Sequence, residues 1–238
     1  MKQIPLAITP PPDLGFDSLL VGPNAHAVQH LRTLASPATP VYLWGPAGSG
    51  KTHLLKALAE QRLTQGERVG WFDAATALPW PLDEGWTLIV VDDCQALDAE
   101  RQHAAFALFV EAGSHGVQWA AAGSLPPVDL PIRDDLRTRL GWGHVFAMQT
   151  LAEGETRAAL RREADRRGIL LTDEVMGYLL THFQRDLKHL MRLLDQLDEF
   201  ALSEHRAVTV PLLKKMLAES TPASGARSPV KSPLEQQP

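Results

Sequence analysis

Eight consecutive residues, Gly45-Pro46-Ala47-Gly48-Ser49-Gly50-Lys51-Thr52, fit the pattern G-x-x-x-x-G-K-[ST] without a departure. Each residue type there serves phosphate chemistry. Glycines let successive backbone N–H groups converge on phosphate oxygens, and a helix that follows adds the positive end of its dipole. Lys51 is placed to reach β- and γ-phosphates, and the Thr52 hydroxyl to hold Mg²⁺. A second segment supplies acids: the apolar run Leu88-Ile89-Val90-Val91 ends in Asp92-Asp93. Asp92 has the position of an acid that holds Mg²⁺ through water, while Asp93 could orient or deprotonate an attacking water. An acidic pair at a strand end also serves as a turn or helix cap; the upstream glycine loop is what turns the reading toward ADP or ATP with Mg²⁺. Cys94, directly after the acids, reads as an inert packing residue.

These groups need a scaffold, and the hydrophobic pattern describes one. Val41–Trp44, Arg68–Asp73, Trp86–Val91 and Gln118–Gly123 read as short strands, and Thr52–Gln61 and Ala99–Ala112 as helices between them. Continuous apolar strands alternating with helices are what a parallel sheet covered on both faces requires. After Leu151 the strands stop. Glu153–Arg167, Thr172–His182, Arg185–Leu202 and Pro211–Leu217 carry helical patterns, with Thr172 and Pro211 suited to helix starts. The expected class is an α/β P-loop NTPase, a parallel sheet flanked by helices, followed by a small helical lid. The expected divisions are an extended leader at 1–12, a nucleotide-binding domain at 13–150, a lid at 151–219 and a disordered Pro/Ser-rich tail at 220–238.

Composition removes several classes. The chain has 238 residues, enough to bury a core without staples. Cys94 is its only cysteine, which excludes a disulfide framework and a cysteine-based zinc site. His26 and His30 have i,i+4 spacing but no third ligand beside them, and they read as solvated helix histidines. A net charge of −5 argues against non-specific binding to nucleic-acid backbone. No apolar run has the length of a membrane helix and no signal segment opens the chain, so a cytoplasmic location is expected.

Further segments carry a family resemblance. Phe16-Asp17-Ser18-Leu19-Leu20-Val21-Gly22-Pro23-Asn24 resembles the segment that opens the AAA+ ATPase domain of the DnaA family of replication initiators. That likeness implies a place for Leu20 and Val21 near the adenine. Thr138-Arg139-Leu140-Gly141-Trp142-Gly143 is similar to the family's arginine-finger box, and Gly123-Ser124-Leu125-Pro126-Pro127 to its sensor-1 turn. Arg185-Asp186-Leu187-Lys188-His189-Leu190 sits where the sensor-2 helix of the lid belongs. The resemblance covers about Gly15 to Leu217. Two departures stand out. Lys188 holds the position of the nucleotide-contacting sensor-2 arginine, keeping the charge without the bidentate fork. Leu125 stands where the sensor-1 turn usually has arginine.

A lone module of this kind, with no DNA-reading module after the lid, resembles the Hda branch of that family, the regulatory inactivators of DnaA. Hda proteins carry a clamp-binding hexapeptide at the N-terminus, and Gln3-Ile4-Pro5-Leu6-Ala7-Ile8 fits Q-x-x-L-x-[LIF]. Gln3 would be a polar anchor, with Leu6 and Ile8 entering an apolar pocket on the sliding clamp, the β subunit of DNA polymerase III. The resemblance implies that Arg139 reaches in trans into the ATP site of a DnaA molecule, with Ser124 as sensor 1. The implied role is to return DnaA to its inactive ADP form and so restrain chromosomal replication initiation. Sequence-specific DNA binding is not expected, self-association is left open, and intrinsic ATPase activity is expected to be weak. Arg137, nearby, is two positions off the box. The Arg-rich stretch Glu153–Arg167 reads as a solvated, ion-paired helix face. The alternative is a DnaC-like AAA+ helicase loader.

Overall fold

The computed structural model describes residues 15–35, 39–183 and 187–220, with the side chains of Lys188 and Ser220 excepted. Gln3, Leu6, Ile8 and the tail beyond residue 220 therefore lie outside the described residues.

Five strands form one parallel sheet: β1 (Val41–Trp44), β2 (Arg68–Phe72), β3 (Trp86–Val91), β4 (Gln118–Gly123) and β5 (His144–Ala147), in the order β2-β3-β4-β1-β5. Alternate residues along the central strands divide between two cores. Tyr42, Ile89, Val91, Trp119 and Ala121 face α3 (Ala99–Ser114) and α4 (Asp134–Leu140), through Ala105, Leu108, Leu136 and Leu140. Val41, Leu43, Leu88, Val90, Ala120 and Ala122 face α1 (Ala25–Arg32) and α2 (Lys51–Thr64), through Val28, Leu31, Leu54 and Leu58. Burial on both faces explains why these strands are continuously apolar rather than alternating. Each large aliphatic side chain so buried contributes roughly 1.5–3 kcal/mol.

Beyond the sheet, α5 (Glu153–Arg166), α6 (Asp173–His182), α7 (Leu187–Glu204) and α8 (Val210–Ser220) gather around a third core of Leu160, Met176, Leu179, Leu194, Leu197 and Leu213. Thr172 caps α6 by accepting from Val175 N at 3.4 Å. Most arginines of the 153–167 stretch are ion-paired as its pattern suggested: Arg157 with Glu153, Arg161 with Asp173, Arg166 with Glu163, and Arg167, the C-cap of α5, with Glu163 and Asp195.

Two elements escaped the sequence reading. β5 is a four-residue edge strand on which only Phe146 is half-buried, so it carries almost no hydrophobic signal. The α4 helix is only seven residues long, and its two core residues, Leu136 and Leu140, are one turn apart. The solvated reading of the histidines fails for His30. Its ring packs 4.4 Å from His144 and 5.1 Å from Phe146, because β5 lies against α1.

Candidate nucleotide-binding site

The glycine loop joins the end of β1 to α2, the strand–loop–helix setting that phosphate binding needs. Gly48 and Gly50 have φ of +76° and +90°, a left-handed region that a side chain would strain. A Cβ at Gly50 would meet nothing within 4 Å, so backbone conformation rather than crowding demands glycine there. Lys51 is the first residue of α2 and is only 8% exposed. Its ammonium donates to the carbonyls of Gly45 at 2.8 Å and Pro46 at 2.9 Å. Burial pushes the Lys51 pKa down, and the carboxylates of Asp93 and Asp92 oppose the shift.

Strand register brings the acids to the loop. β4 lies between β3 and β1, with Val91 paired to Ala121 and Trp44 to Gly123. Asp92, Ser124 and Gly45 therefore leave three adjacent strands at the same edge of the sheet. Asp92 is 5% exposed, and burial raises its pKa, opposed mainly by the hydrogen bond from the Thr52 hydroxyl. Its Oδ1 also accepts from Asp93 N at 2.9 Å. Asp93 is exposed, with a left-handed backbone at φ 49° and ψ 49°. Thr52 and Asp92 form the oxygen pair that a hard divalent cation prefers, so the donor set fits Mg²⁺ beside a nucleotide phosphate. Cys94 is buried, its thiol pushed up to about 12 by burial, as suits a packing residue.

Leu20 and Val21 lead into a 3-10 turn at Gly22–Asn24. Asn24 is buried there and reaches the Ser49 and Gln149 backbones, which lays this segment beside the glycine loop. An open hollow of about 550 Å³ lies next to it, lined by Gly22, Pro23, Gln149, Thr150, Leu151, Ala152 and Glu155. Lys188 falls in the first turn of α7, and its side chain lies outside the described residues.

Arg139 is not part of this assembly. It sits near the end of α4, which leads into the start of β5, whereas the glycine loop leaves the end of β1. The two strands are parallel, with Val41 opposite His144 and Trp44 opposite Ala147. Arg139 and the loop therefore lie toward opposite edges of the sheet. Among the described residues Arg139 has no carboxylate partner; its guanidinium lies 4.4 Å from the ring centre of Trp142, which is 68% exposed. Arg137, by contrast, is held by Asp134 at 2.5 Å.

Two residues of the site were missed in the sequence reading. Asn24 lay within the quoted segment without being singled out. Gln95, two positions after Asp93, links that acid to Ser124. A glutamine has no distinctive spacing signal, and only the fold shows what it reaches.

Residues 153–217 match the family described as the lid domain of Hda. The fold is similar to domain III of the replication initiation protein DnaA from Thermotoga maritima, with a TM-score of 0.73 and 20% identity over 89% of this chain and 98% of that one. AMPPCP-bound DnaA from Aquifex aeolicus matches with a TM-score of 0.64 and 21% identity over 79% of this chain and 65% of that one. The Holliday junction branch migration motor RuvB of Thermotoga maritima matches with a TM-score of 0.57 and 14% identity, over 82% and 65% of the two chains. The described residues thus have the fold of DnaA domain III, and residues 153–217 match the Hda lid domain. No helix among the described residues is long and apolar enough to cross a membrane.

Proposed function

We propose that this protein is a nucleotide-bound, clamp-associated regulator of replication initiation that stimulates hydrolysis of the ATP held by DnaA. The loop Gly45–Thr52 holds ADP or ATP, with Thr52 and Asp92 toward Mg²⁺ and Lys188 toward the phosphates from the lid. Asp93 and Ser124 face the γ-phosphate side and support at most a slow hydrolysis of the chain's own ATP. Gln3, Leu6 and Ile8 tether the protein to the sliding clamp, which concentrates it where replication is under way.

The observation that carries the proposal is the setting of Arg139. A guanidinium without a carboxylate partner among the described residues, resting on an exposed tryptophan away from its own phosphate loop, is available to a neighbouring molecule's site. A cation placed at charge building on a γ-phosphoryl group accelerates hydrolysis by ~10³–10⁵-fold in well-studied GTPases. The Hda-like lid and the DnaA-like fold support DnaA as the recipient, since a module of the same fold can turn its phosphate-loop face to the face that carries Arg139 in a head-to-tail contact.

The test follows ATP bound to DnaA in the presence of clamp loaded on DNA. The Arg139→Ala protein keeps its own ADP affinity and loses at least about a hundredfold in stimulation, about 2.7 kcal/mol. Arg139→Lys rescues little, because an ammonium lacks the planar fork. Full stimulation by Arg139→Ala would overturn the proposal. A helicase loader would instead leave DnaA unaffected and bind a replicative helicase. Deleting Met1–Ile8 removes clamp association and leaves nucleotide binding intact; co-elution of the truncated protein with the clamp would remove the tether.

A further inference from the structure

A neutral side chain joins the tips of two strands at the site. Gln95 lies in the 3-10 turn Cys94–Ala96 that follows the two acids. Its Oε1 accepts from Ser124 N at 2.9 Å, and its Nε2 donates to Asp93 Oδ1 at 3.2 Å. Chemistry fixes which way the amide points. The Ser124 N–H can only donate, so the amide oxygen faces it and the NH₂ is left for the carboxylate. Asp93 is thereby held at its side chain as well as through its N–H, which donates to Asp92 Oδ1.

The opposite tip is equally fixed. The buried Tyr42 hydroxyl donates to the Leu125 carbonyl at 2.9 Å, holding the turn that contains Ser124. A Cβ on Gly123 would fall 2.1 Å from Tyr42 Oη and 3.3 Å from Gln95 Oε1, so only glycine lets both side chains reach the turn. The end of β3 and the end of β4 thus form one hydrogen-bonded unit, with Gln95 as its link to the acid.

We propose that Gln95 is a positioning residue that fixes the orientation of the Asp93 carboxylate and couples it to the Ser124 turn. The inference rests on Asp93 being the acid that acts on a water attacking the chain's own bound ATP. In that step the water oxygen bonds to the γ-phosphorus, the bond to the β–γ bridging oxygen breaks, and ADP leaves with its electron pair. The proton lost by the water passes to the Asp93 carboxylate. A carboxylate free to rotate offers a lone pair to the water for a smaller share of the time, so Gln95 acts on the rate of hydrolysis and not on nucleotide affinity.

Two variants separate positioning from simple support. Gln95→Glu keeps an oxygen for the Ser124 N–H but turns a second carboxylate toward Asp93. Gln95→Ala removes both bonds. Three readouts are taken: ADP affinity, single-turnover ATP hydrolysis, and hydrogen exchange of the Ser124 amide in the protein without nucleotide. In Gln95→Glu the Ser124 amide stays protected and ADP affinity holds within about twofold, yet hydrolysis falls at least about tenfold. In Gln95→Ala hydrolysis falls comparably, and the Ser124 amide exchanges at least about tenfold faster. Hydrolysis at the parent rate in Gln95→Glu would overturn the positioning role, and an unchanged Ser124 amide in Gln95→Ala would overturn the link. Should the parent protein hydrolyse no ATP, with Asp93→Asn changing nothing, the underlying reading of Asp93 fails and the positioning of its carboxylate fails with it; the amide exchange then still decides the link.

Discussion

Asn24 and Gln149, 125 positions apart, exchange two hydrogen bonds: Asn24 Oδ1 accepts from Gln149 N at 2.8 Å, and Asn24 Nδ2 donates to the Gln149 carbonyl at 2.9 Å. The same Nδ2 lies 3.4 Å from the Ser49 carbonyl of the glycine loop. One buried amide therefore ties the opening segment, the phosphate loop and the strand-to-lid connection at a single point.

Removing it takes two part-buried hydrogen bonds from the Gln149 backbone. Asn24→Ala is expected to cost about 1–3 kcal/mol in denaturant unfolding and to weaken ADP binding. Asn24→Asp is expected to do no better, because its second oxygen would face the Gln149 and Ser49 carbonyls. A loss within about 0.5 kcal/mol for Asn24→Ala would show that the staple has no structural weight.

Lys51 is the side-chain cation placed in the glycine loop. Lys51→Ala is expected to lose at least about tenfold in ADP affinity, about 1.4 kcal/mol, by calorimetry. Asp92→Ala should mainly remove the Mg²⁺ dependence of ATP binding. Unchanged Mg²⁺ sensitivity in that variant would assign the ion to another acid.

Trp142 presents Arg139 without supporting the fold. Its ring is exposed and lies under the guanidinium, a contact worth roughly 0.5–1 kcal/mol at an exposed site. Trp142→Ala is expected to leave folding stability within about 0.5 kcal/mol while lowering stimulation of DnaA-bound ATP hydrolysis. A variant as stimulatory as the parent would show that Arg139 needs no such rest.

His30 introduces a pH dependence. Its Nε2 is sealed from solvent with no hydrogen-bond partner among the described residues. Burial lowers its pKa from the usual 6.5, and the neighbouring rings of His144 and His26 lower it further when charged. The unfolded chain therefore takes up the proton first. Stability from this group is fully present above about pH 6.5, falls as pH drops toward the lowered folded value, and levels off below it. His30→Phe, which keeps a ring against Phe146, is expected to flatten that acid slope in denaturant unfolding measured from about pH 7.5 to 5.5. An unaltered slope would place the proton uptake elsewhere.

Much of the architecture was legible in the residues alone. A glycine loop ending in Lys51-Thr52 and an apolar run ending in Asp92-Asp93 announce themselves, since backbone freedom and buried parallel strands each restrict residue type at fixed local spacing. Segments such as Trp86–Val91 and Gln118–Gly123 appear as strands at their expected limits for the same reason. What the tertiary structure decided are relationships that cross the chain. The order β2-β3-β4-β1-β5 puts Asp92, Ser124 and Gly45 on adjacent strand ends. The same topology sends Arg139 toward the other edge, burdens His30 with β5, and gives Gln95 and Asn24 their partners. Hydrogen bonds of neutral amides leave no periodicity in a sequence, and an edge strand buries too little to leave a pattern. Their partners are fixed only when distant segments pack, because buried backbone groups must then be satisfied by whatever polar side chain the fold brings within reach.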